Sequence, residues 1–240
     1  GHTMILAEDG TVFACGWNHK GQLGLGDTTN RNTFTAVPAL PDGKVAKQVV
    51  AGYYHTMILA EDGTVFACGF NHKGELGLGD TTSRSTFTAV PALPDGKVAK
   101  QVVGSKAYTI ILAEDGTVFA CGWNTNGQLG LGDYECRNTF TPVPTLPDGK
   151  VAKQVVAGVH HTIILAEDGT VFACGCNFQG QNTFTAVPGL PDNKVAKQVV
   201  AGWGHTMILA EDGTVFACGW NLYGQLGLGD TTSRNTFTAV

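Results

Sequence analysis

The sequence predicts an all-β protein, a β-propeller with five blades of four antiparallel strands, and three observations support this. The string AEDGTVFACG occurs five times, and its glutamate recurs at intervals of 53, 53, 53 and 44 residues. Glycine contributes 33 of the 240 residues without a collagen period, which indicates many tight turns. Helix patterns are absent, whereas short strands and turn residues recur in every repeat. Repeats of this length built from short strands are typical of propeller blades.

The second repeat illustrates the four strands that each repeat is predicted to contain. Its almost wholly apolar run 55–60 predicts a strand buried on both faces. The turn 61–63 includes a glycine that accepts a positive φ, so run 64–68 is the returning strand of a hairpin. A glycine-rich loop leads to the third strand, 87–90. The fourth strand, 98–103, carries lysine and is expected at a solvent-facing edge, where charge discourages pairing with another chain.

We assign residues 1–240 to a single propeller domain, with blades at about 1–53, 54–106, 107–159, 160–203 and 204–240. The fourth repeat is nine residues short, reading GQNTF where the fifth reads GQLGLGDTTSRNTF. The last blade is expected to be incomplete, because the sequence reaches Val240 after its third strand. An open blade edge recruits strands, so self-association through this last blade is one alternative role.

Composition excludes several classes of partner and site. The formal net charge of −5 argues against a nucleic-acid partner, which requires a clustered basic surface. The apolar runs are too short for a transmembrane helix, so no membrane association is expected. The seven cysteines show no zinc-ligand spacing, and unpaired thiols favour a soluble protein of a reducing, cytoplasmic compartment. Neither a cofactor nor a metal is predicted.

Enzymatic activity is not predicted either. A catalytic site brings unlike groups together once, whereas each polar residue here recurs in repeat after repeat. One repeat position holds His2, His55, His161 and His205, and Tyr108 takes it in the third repeat. Such a set of imidazoles could hold a metal or an anion, but we expect each to bond the backbone of a neighbouring blade. The cysteines of the AEDGTVFACG strings are expected to be buried small apolar residues.

The run AGWGHTMILAEDGTVFACGWNLYGQLGLGD, at residues 201–230, resembles the repeat of the regulator of chromosome condensation family. The motifs that carry the resemblance are AG-x-x-H-[ST], DG-x-V-[FY] and G-x-N-x-x-GQLG, which recur along essentially the whole chain. The resemblance implies a propeller that binds other proteins. Family propellers usually have more blades than the five repeats found here. The near identity of the repeats indicates a recent amplification or a designed array.

Differences between the repeats are concentrated at three places: the pair before the histidine position, the residue after Cys-Gly, and a pair just beyond it. The first place precedes a strand and the others follow its hairpin partner, so all three should lie at one end of each blade, opposite the AEDG turn. Variable loop tips on a constant scaffold are how a binding surface is diversified. Neutral drift is the alternative, but it would also change the AEDG turns, which do not vary.

We therefore predict a non-enzymatic protein-binding scaffold that recognises a macromolecular partner through this variable, aromatic-rich face. The alternatives are a guanine-nucleotide exchange factor-like regulator of a small GTPase, a self-assembling repeat protein and a lectin. The aromatic residues after Cys-Gly are equally consistent with packing between blades. The candidate partner-binding residues are His19, Lys20, Tyr53, Tyr54, His72, Lys73, Lys106, Thr125, Asn126, His160, Phe178, Gln179, Trp203, Leu222 and Tyr223.

Overall fold

The computed structural model describes residues 1–176 and 181–240. The strands of these residues form five antiparallel sheets, four with four strands and one with three. The chain separates into two compact units, the first made of residues 1–124 and 135–142 and the second of residues 125–134 and 143–240. The predicted all-β class is confirmed, since the only helical segments in the described residues are four single 3-10 turns.

The first unit contains three sheets, whose strands are hydrogen-bonded in chain order. Its three-stranded sheet comprises β1 (His2–Leu6), β2 (Val12–Gly16) and β3 (Arg31–Ala36). The next sheet comprises β4 (Ala46–Ala51), β5 (His55–Ala60), β6 (Val65–Gly69) and β7 (Arg84–Ala89). The third comprises β8 (Ala99–Gly104), β9 (Tyr108–Ala113), β10 (Val118–Gly122) and β11 (Arg137–Pro142).

The second unit contains two sheets of the same kind. One comprises β12 (Ala152–Ala157), β13 (His161–Ala166), β14 (Val171–Gly175) and β15 (Gln181–Ala186). The other comprises β16 (Ala196–Ala201), β17 (His205–Ala210), β18 (Val215–Gly219) and β19 (Arg234–Ala239). A 3-10 turn precedes the first strand of every four-stranded sheet, and these turns are Pro41–Gly43, Pro94–Gly96, Pro147–Gly149 and Pro191–Asn193.

The lysine-bearing strand belongs to a different sheet from the one that the sequence predicted. We expected it to close the sheet of its own repeat, but β8 pairs with β9 of the following repeat, with Val102 opposite Ile111. The turn at Pro94–Gly96 carries the chain to the next sheet, where Val102 is buried in a core cluster. The prediction of an incomplete last blade is therefore wrong: β16 to β19 make a complete sheet, and the three-stranded sheet is the first.

The lysine-bearing strands do lie at sheet edges, but a glutamine side chain covers part of the edge. The Gln48 amide nitrogen donates to the Val102 carbonyl oxygen (3.2 Å), and its oxygen accepts from the Val102 backbone N–H (3.1 Å). In the second unit, Gln154 makes the same two bonds to Val199, both at 3.0 Å. These amides satisfy backbone groups that an edge strand would otherwise leave unpaired. The predicted edge position is confirmed, and the lysines of these strands are exposed.

The apolar strand next to each edge is the centre of the core. All six residues of β5, of β9 and of β13 are buried, which confirms the prediction of strands covered on both faces. The alternation expected of a half-buried strand is lost because both faces of these strands are covered. Each fully buried Ile or Leu contributes about 1.5–3 kcal/mol to the free energy of unfolding. The near-identical cores of the repeats are a direct result of this packing.

The glycine-rich exit loop that follows the second strand of a repeat is organised around one buried asparagine. In the first repeat, the Asn18 amide nitrogen donates to the carbonyls of Asp27 (3.0 Å) and Thr29 (3.1 Å). The Asn18 side-chain oxygen accepts from the Leu23 backbone N–H at 2.9 Å. One side chain thus holds both arms of the loop, which explains why the motif requires asparagine here.

The exit loops of the first three repeats pack on the sheet of the next repeat. The Gln22 carbonyl accepts a hydrogen bond from the Thr56 hydroxyl at 2.6 Å, and Leu23 enters a core cluster with Cys68 and Phe87. A Cβ added to Gly24 would lie 2.3 Å from the Phe87 ring, so only glycine allows this approach. The third sheet receives the second loop through the Glu75 carbonyl, and in the second unit the Gln128 carbonyl accepts from Thr162.

Glu75 occupies the position that glutamine takes in the other exit loops, and it generates a testable prediction. Its side chain is only 1% exposed, and burial raises the pKa of its carboxyl group. One oxygen accepts from the Lys73 backbone N–H at 2.8 Å, and the other has no hydrogen-bond partner in the described part of the chain. A raised folded-state pKa means that stability is fully present below the unfolded pKa and is lost as the pH rises through the folded pKa.

We expect Glu75→Gln to raise the free energy of unfolding at neutral pH by roughly 1 kcal/mol, because it removes a buried charge without changing shape. Urea denaturation of parent and variant at mildly acidic and neutral pH measures the effect, and the two stabilities should converge as the pH falls. The matched control Gln22→Glu should be destabilised at neutral pH. Equal stability of parent and Glu75→Gln at neutral pH would show that the buried carboxylate costs nothing.

Candidate functional site

The strand register places the variable positions of each repeat at one end of its sheet. His55 is the partner of Gly69 across β5 and β6, so the residues before the first and after the second are neighbours. The same pairing joins His161 to Gly175 and His205 to Gly219 in the second unit. The AEDG turn closes the opposite end of each hairpin. Within every described sheet, the sequence prediction of a variable end and a constant end therefore corresponds to the geometry.

In the first unit, the variable residues form a continuous aromatic cluster centred on Tyr54. Its ring centroid lies 4.9 Å from that of Trp17, 4.4 Å from that of Tyr53 and 6.0 Å from that of Phe70. Phe70 in turn stacks on His72 at 4.4 Å. Separations of this size are typical of attractive ring pairs, so the cluster holds its own side chains in place. We call these residues, with those of the next paragraph, the first-unit surface.

Cations border this aromatic cluster. The Lys20 ammonium lies 5.5 Å from the Phe70 ring centroid, within the range of a cation–π contact, and the tilted rings of His19 and Trp17 have centroids 5.6 Å apart. Lys20 and Lys73 are exposed, and Lys106 is half-buried. The backbone N–H of Tyr53 donates to the carbonyl of Ser105 at 3.0 Å, which ties the pair before the histidine to the neighbouring sheet.

In the second unit, a separate cluster forms around two tryptophans. The ring centroids of Trp203 and Trp220 are 5.0 Å apart, and Trp220 contacts Tyr223 at 5.7 Å. His160 lies 6.4 Å from Trp203 and interacts with the Asn126 amide at 3.4 Å. Tyr223 is 83% exposed and Trp203 is 56% exposed, and such exposed aromatic patches often mark sites that bind another molecule. These residues, with the exposed Thr125 and Leu222, are the second-unit surface.

The structure thus brings the aromatic residues of the prediction together in two sets, one in each unit, with Lys20 beside the first set and Asn126 beside the second. Phe178 and Gln179 lie outside the described residues. The aromatic residue after Cys-Gly, whose role the sequence left undecided, belongs to the surfaces: Trp17, Phe70 and Trp220 are half-buried and contact the variable residues directly. Their aromatic character in a loop was the signal that could have identified them. Binding by either surface stays a prediction.

The repeat-equivalent histidines bond a neighbouring threonine rather than the backbone, which corrects our expectation. The Nε2 atom of His2 lies 2.7 Å from the Thr56 hydroxyl, and that of His55 lies 3.0 Å from the Thr109 hydroxyl. In the second unit, His161 and Thr206 are 3.1 Å apart. The nearby backbone N–H and C=O groups already pair within the strand ladders, so the imidazole bonds a side-chain hydroxyl instead. The Thr56 hydroxyl donates its proton to Gln22, so it accepts from His2, whose Nε2 therefore carries the proton.

These imidazoles also explain the glycine that precedes them. A Cβ added to Gly52 would lie 2.5 Å from the His55 ring, and the third repeat, which has Tyr108 in place of histidine, has Ser105 in place of this glycine. Burial lowers the pKa of His55 to about 3 and that of His2 to about 4, so both rings are neutral at physiological pH. In the described ranges, no group of three or more ligand-type side chains could hold a metal ion.

Comparison with known proteins identifies relatives over the whole chain. Residues 1–240 match the family model of the RCC1-like domain. The chain is 34% identical over 181 residues to the "Ultraviolet-B receptor UVR8" of Arabidopsis thaliana, covering 75% of this chain and 40% of the receptor. It is 34% identical over 164 residues to the "Secretion-regulating guanine nucleotide exchange factor" of Bos taurus, covering 68% of this chain and 35% of that protein. It therefore spans less than half the length of these curated relatives.

Solved structures show the same fold. Human WBSCR16 superposes with a TM-score of 0.89 at 22% identity, over 100% of this chain and 64% of that one. Prp20p of Saccharomyces cerevisiae superposes with a TM-score of 0.61 at 21% identity, over 100% of this chain and 74% of that one. At such low identity these likenesses show the β-propeller fold and carry no functional information.

The buried histidines predict a specific loss of stability in acid. A histidine whose folded pKa is lowered contributes stability that is present above its unfolded pKa of 6.5 and is lost as the pH falls toward about 3. We expect the swap Gly52→Ser with His55→Tyr, which copies the third repeat, to remove roughly 3 kcal/mol of the destabilisation between neutral pH and about pH 4. Urea denaturation at the two pH values measures this difference.

The reverse swap, Ser105→Gly with Tyr108→His, is the matched control. It adds a buried imidazole and should increase the acid destabilisation by a similar amount. An unchanged pH dependence in both swaps would show that these rings do not control acid stability.

Proposed function

The chain belongs to the family of RCC1-like domains, and from this premise we propose that it is a non-enzymatic scaffold that binds a macromolecular partner, a protein, through its first-unit and second-unit surfaces. One observation carries the proposal. The positions at which near-identical repeats differ are the same positions that the fold gathers into exposed aromatic clusters. Random change at tolerant loop positions would not select large aromatic residues that contact one another.

The chemistry of these surfaces supports a protein partner. Tyrosine and tryptophan offer a large contact area at a low cost in side-chain entropy, and they are enriched among the residues that dominate interface energies. The ring contacts within each cluster fix the side chains before binding, which lowers the cost of ordering them. A lectin is less well supported, because a repeated sugar site would carry the same residues in each repeat, and these sets differ.

The charge of the first-unit surface indicates what its partner presents. The variable positions there include Lys20, Lys73 and Lys106 and no acidic residue, although the chain as a whole has a net charge of −5. Such a local excess of cations favours an acidic patch on the partner and accelerates association at low ionic strength. The variable positions of the second-unit surface carry no lysine, arginine or carboxylate, so its contribution comes from apolar contact.

Nucleotide exchange on a small GTPase is the second candidate, and its support is the name of one relative, a "Secretion-regulating guanine nucleotide exchange factor". Acceleration of nucleotide release from a captured GTPase would distinguish this activity from binding alone. None of the helical segments in the described ranges is long and apolar enough to cross a membrane. A single domain over residues 1–240, the lack of a nucleic-acid partner and a reducing compartment stay predictions.

The binding proposal predicts the result of a capture experiment. A variant with Tyr53→Ser, Trp203→Ser and Tyr223→Ser should retain its partner from a lysate of the source organism at least about tenfold less well than the parent chain. All three side chains are more than half exposed, so the fold should tolerate their loss, and thermal denaturation checks this. Mass spectrometry of the retained proteins identifies the partner.

The control variant is Tyr134→Ser, which removes an equally exposed tyrosine that lies in an exit loop outside both surfaces. It should retain the partner as the parent does. If the triple variant and the parent retain the same proteins in the same amounts, the surfaces are not the binding site and the proposal fails.

A further inference from the structure

The fourth repeat lacks the part of the exit loop that, in other repeats, packs on the next sheet. Gln181 pairs with Gly175 in the register position that Arg137 takes opposite Gly122. The nine missing residues therefore correspond to residues 128–136 of the third repeat. These include the glutamine whose carbonyl accepts the strand threonine and the leucine that follows it.

The intact repeats show what this segment contacts. A Cβ added to Gly21 would lie 2.6 Å from the Ser85 Cα atom, so the loop backbone lies directly on β7. The Gly26 N–H donates to the Ser85 carbonyl at 2.8 Å. The Gln22 carbonyl accepts from the Thr56 hydroxyl and lies 3.5 Å from the Cys68 sulfur. Glycine, a backbone carbonyl and leucine are thus the groups that fill the site.

On the last sheet the equivalent place is a cavity of about 400 Å³. Its lining includes Thr206, Cys218, Gly219, Arg234 and Asn235, the repeat equivalents of Thr56, Cys68, Gly69, Arg84 and Ser85. Trp203 and Trp220 of the second-unit surface also line it. All of these lining residues belong to the second unit. We call this space the docking cavity.

The groups that an exit loop would contact line the docking cavity, although Thr206 is 1% exposed and buried. The Thr206 hydroxyl bonds His161 as its equivalents bond theirs, but in the described part of the chain it has no loop carbonyl to donate to. Cys218 is 5% exposed, whereas Cys68, Cys121 and Cys174 are fully buried. Among the described residues, the core cluster of the last sheet contains no exit-loop leucine, while the two corresponding clusters of the first unit contain Leu23 and Leu76.

We propose that the docking cavity binds a segment of a partner protein with the sequence Gly-Gln-Leu or Gly-Glu-Leu, which takes the place of the missing loop. The intact repeats show this chemistry in the equivalent sites. The glycine is required where Asn235 leaves no room for a Cβ, and the carbonyl of the second residue accepts from Thr206. The leucine packs beside Cys218, which belongs to the apolar cluster of the last sheet. The volume lies within the range of ligand sites, about 300–1,000 Å³.

The inference deepens the proposed function and rests on it for the statement that the occupant belongs to a partner protein. The two tryptophans support the link, because Trp203 and Trp220 belong to the second-unit surface and also line the cavity. The deleted loop and the exposed aromatic residues are then two parts of one binding site in the second unit. The repeat that departs most from the others therefore leaves room for the partner beside the last sheet.

The test measures the binding of a fluorescently labelled peptide, NTNGQLGLGD, the sequence of residues 124–133, to the full chain by fluorescence anisotropy. We expect saturable binding to the parent. A restored variant, with LGLGDTTSR inserted after Gln181 to recreate the loop of the fifth repeat, should bind the peptide at least about tenfold less well, because its own loop fills the cavity. Circular dichroism and thermal denaturation check that this variant folds.

Two point variants keep the test independent of the insertion. Thr206→Val removes one hydroxyl with little change of shape and should weaken peptide binding about tenfold, the effect of losing one buried hydrogen bond. Thr56→Val makes the same change in a site that its own loop already fills, and it should leave peptide binding as in the parent. A peptide in which aspartate replaces the leucine that follows the glutamine should not bind the parent.

Three results would overturn the inference. The first is absence of peptide binding to the parent, and the second is equal binding to the parent, the restored variant and Thr206→Val. The third is self-association of the parent that the insertion abolishes, because the occupant would then be a second copy of this chain. The peptide assay uses purified components, so its failure leaves the capture experiment untouched, and failure of the capture experiment leaves peptide binding to the cavity untouched.

Discussion

The hydrogen bond from a strand threonine to an exit-loop carbonyl of the preceding repeat is the interaction on which the rest of the structure depends. It joins Thr56 to Gln22, and the same hydroxyl accepts from the His2 imidazole, so one buried oxygen links a strand and a loop of one repeat to the next. A single sheet of short strands cannot cover its own apolar faces, and the loop provides the cover that it lacks. Asparagine, glycine and leucine recur in the loops because each is needed for this docking.

The same constraint explains where variation is tolerated. Residues of the docked loop, the central strands and the AEDG hairpins are committed to contacts within or between neighbouring sheets. The loop tips beside them are not, and there the repeats differ. The fourth repeat goes further, since it lacks the docking segment and a cavity lined by Thr206 and Cys218 lies at the equivalent place on the last sheet. A contact that is structural elsewhere in the chain thereby becomes available to a partner.

Much of the candidate site was visible in the sequence, because near-identical repeats make their differences conspicuous. The antiparallel pairing of two strands in a hairpin is enough to place Tyr53 and Tyr54 at the same end of the sheet as His72. The docking cavity was not predicted, although its signal, the nine-residue gap, was plain. A gap shows that residues are missing, but only the packing of the other exit loops shows that the missing residues cover a neighbour. The contribution of Trp17 and Phe70 was undecided for a similar reason, since an aromatic residue suits both a core and a surface.

The sequence by itself determined the strands, the turns, the repeat and the end of each sheet at which the repeats vary, because these follow from local pattern and from the alternation of a hairpin. It could not determine which strands share a sheet. A periodic sequence has no natural starting point, so the lysine-bearing strand can be placed at the end of one repeat or at the beginning of the next without changing the pattern. Only the tertiary structure decided this, because the burial of Val102 against Ile111 and the Gln48 amide across the edge require the second arrangement.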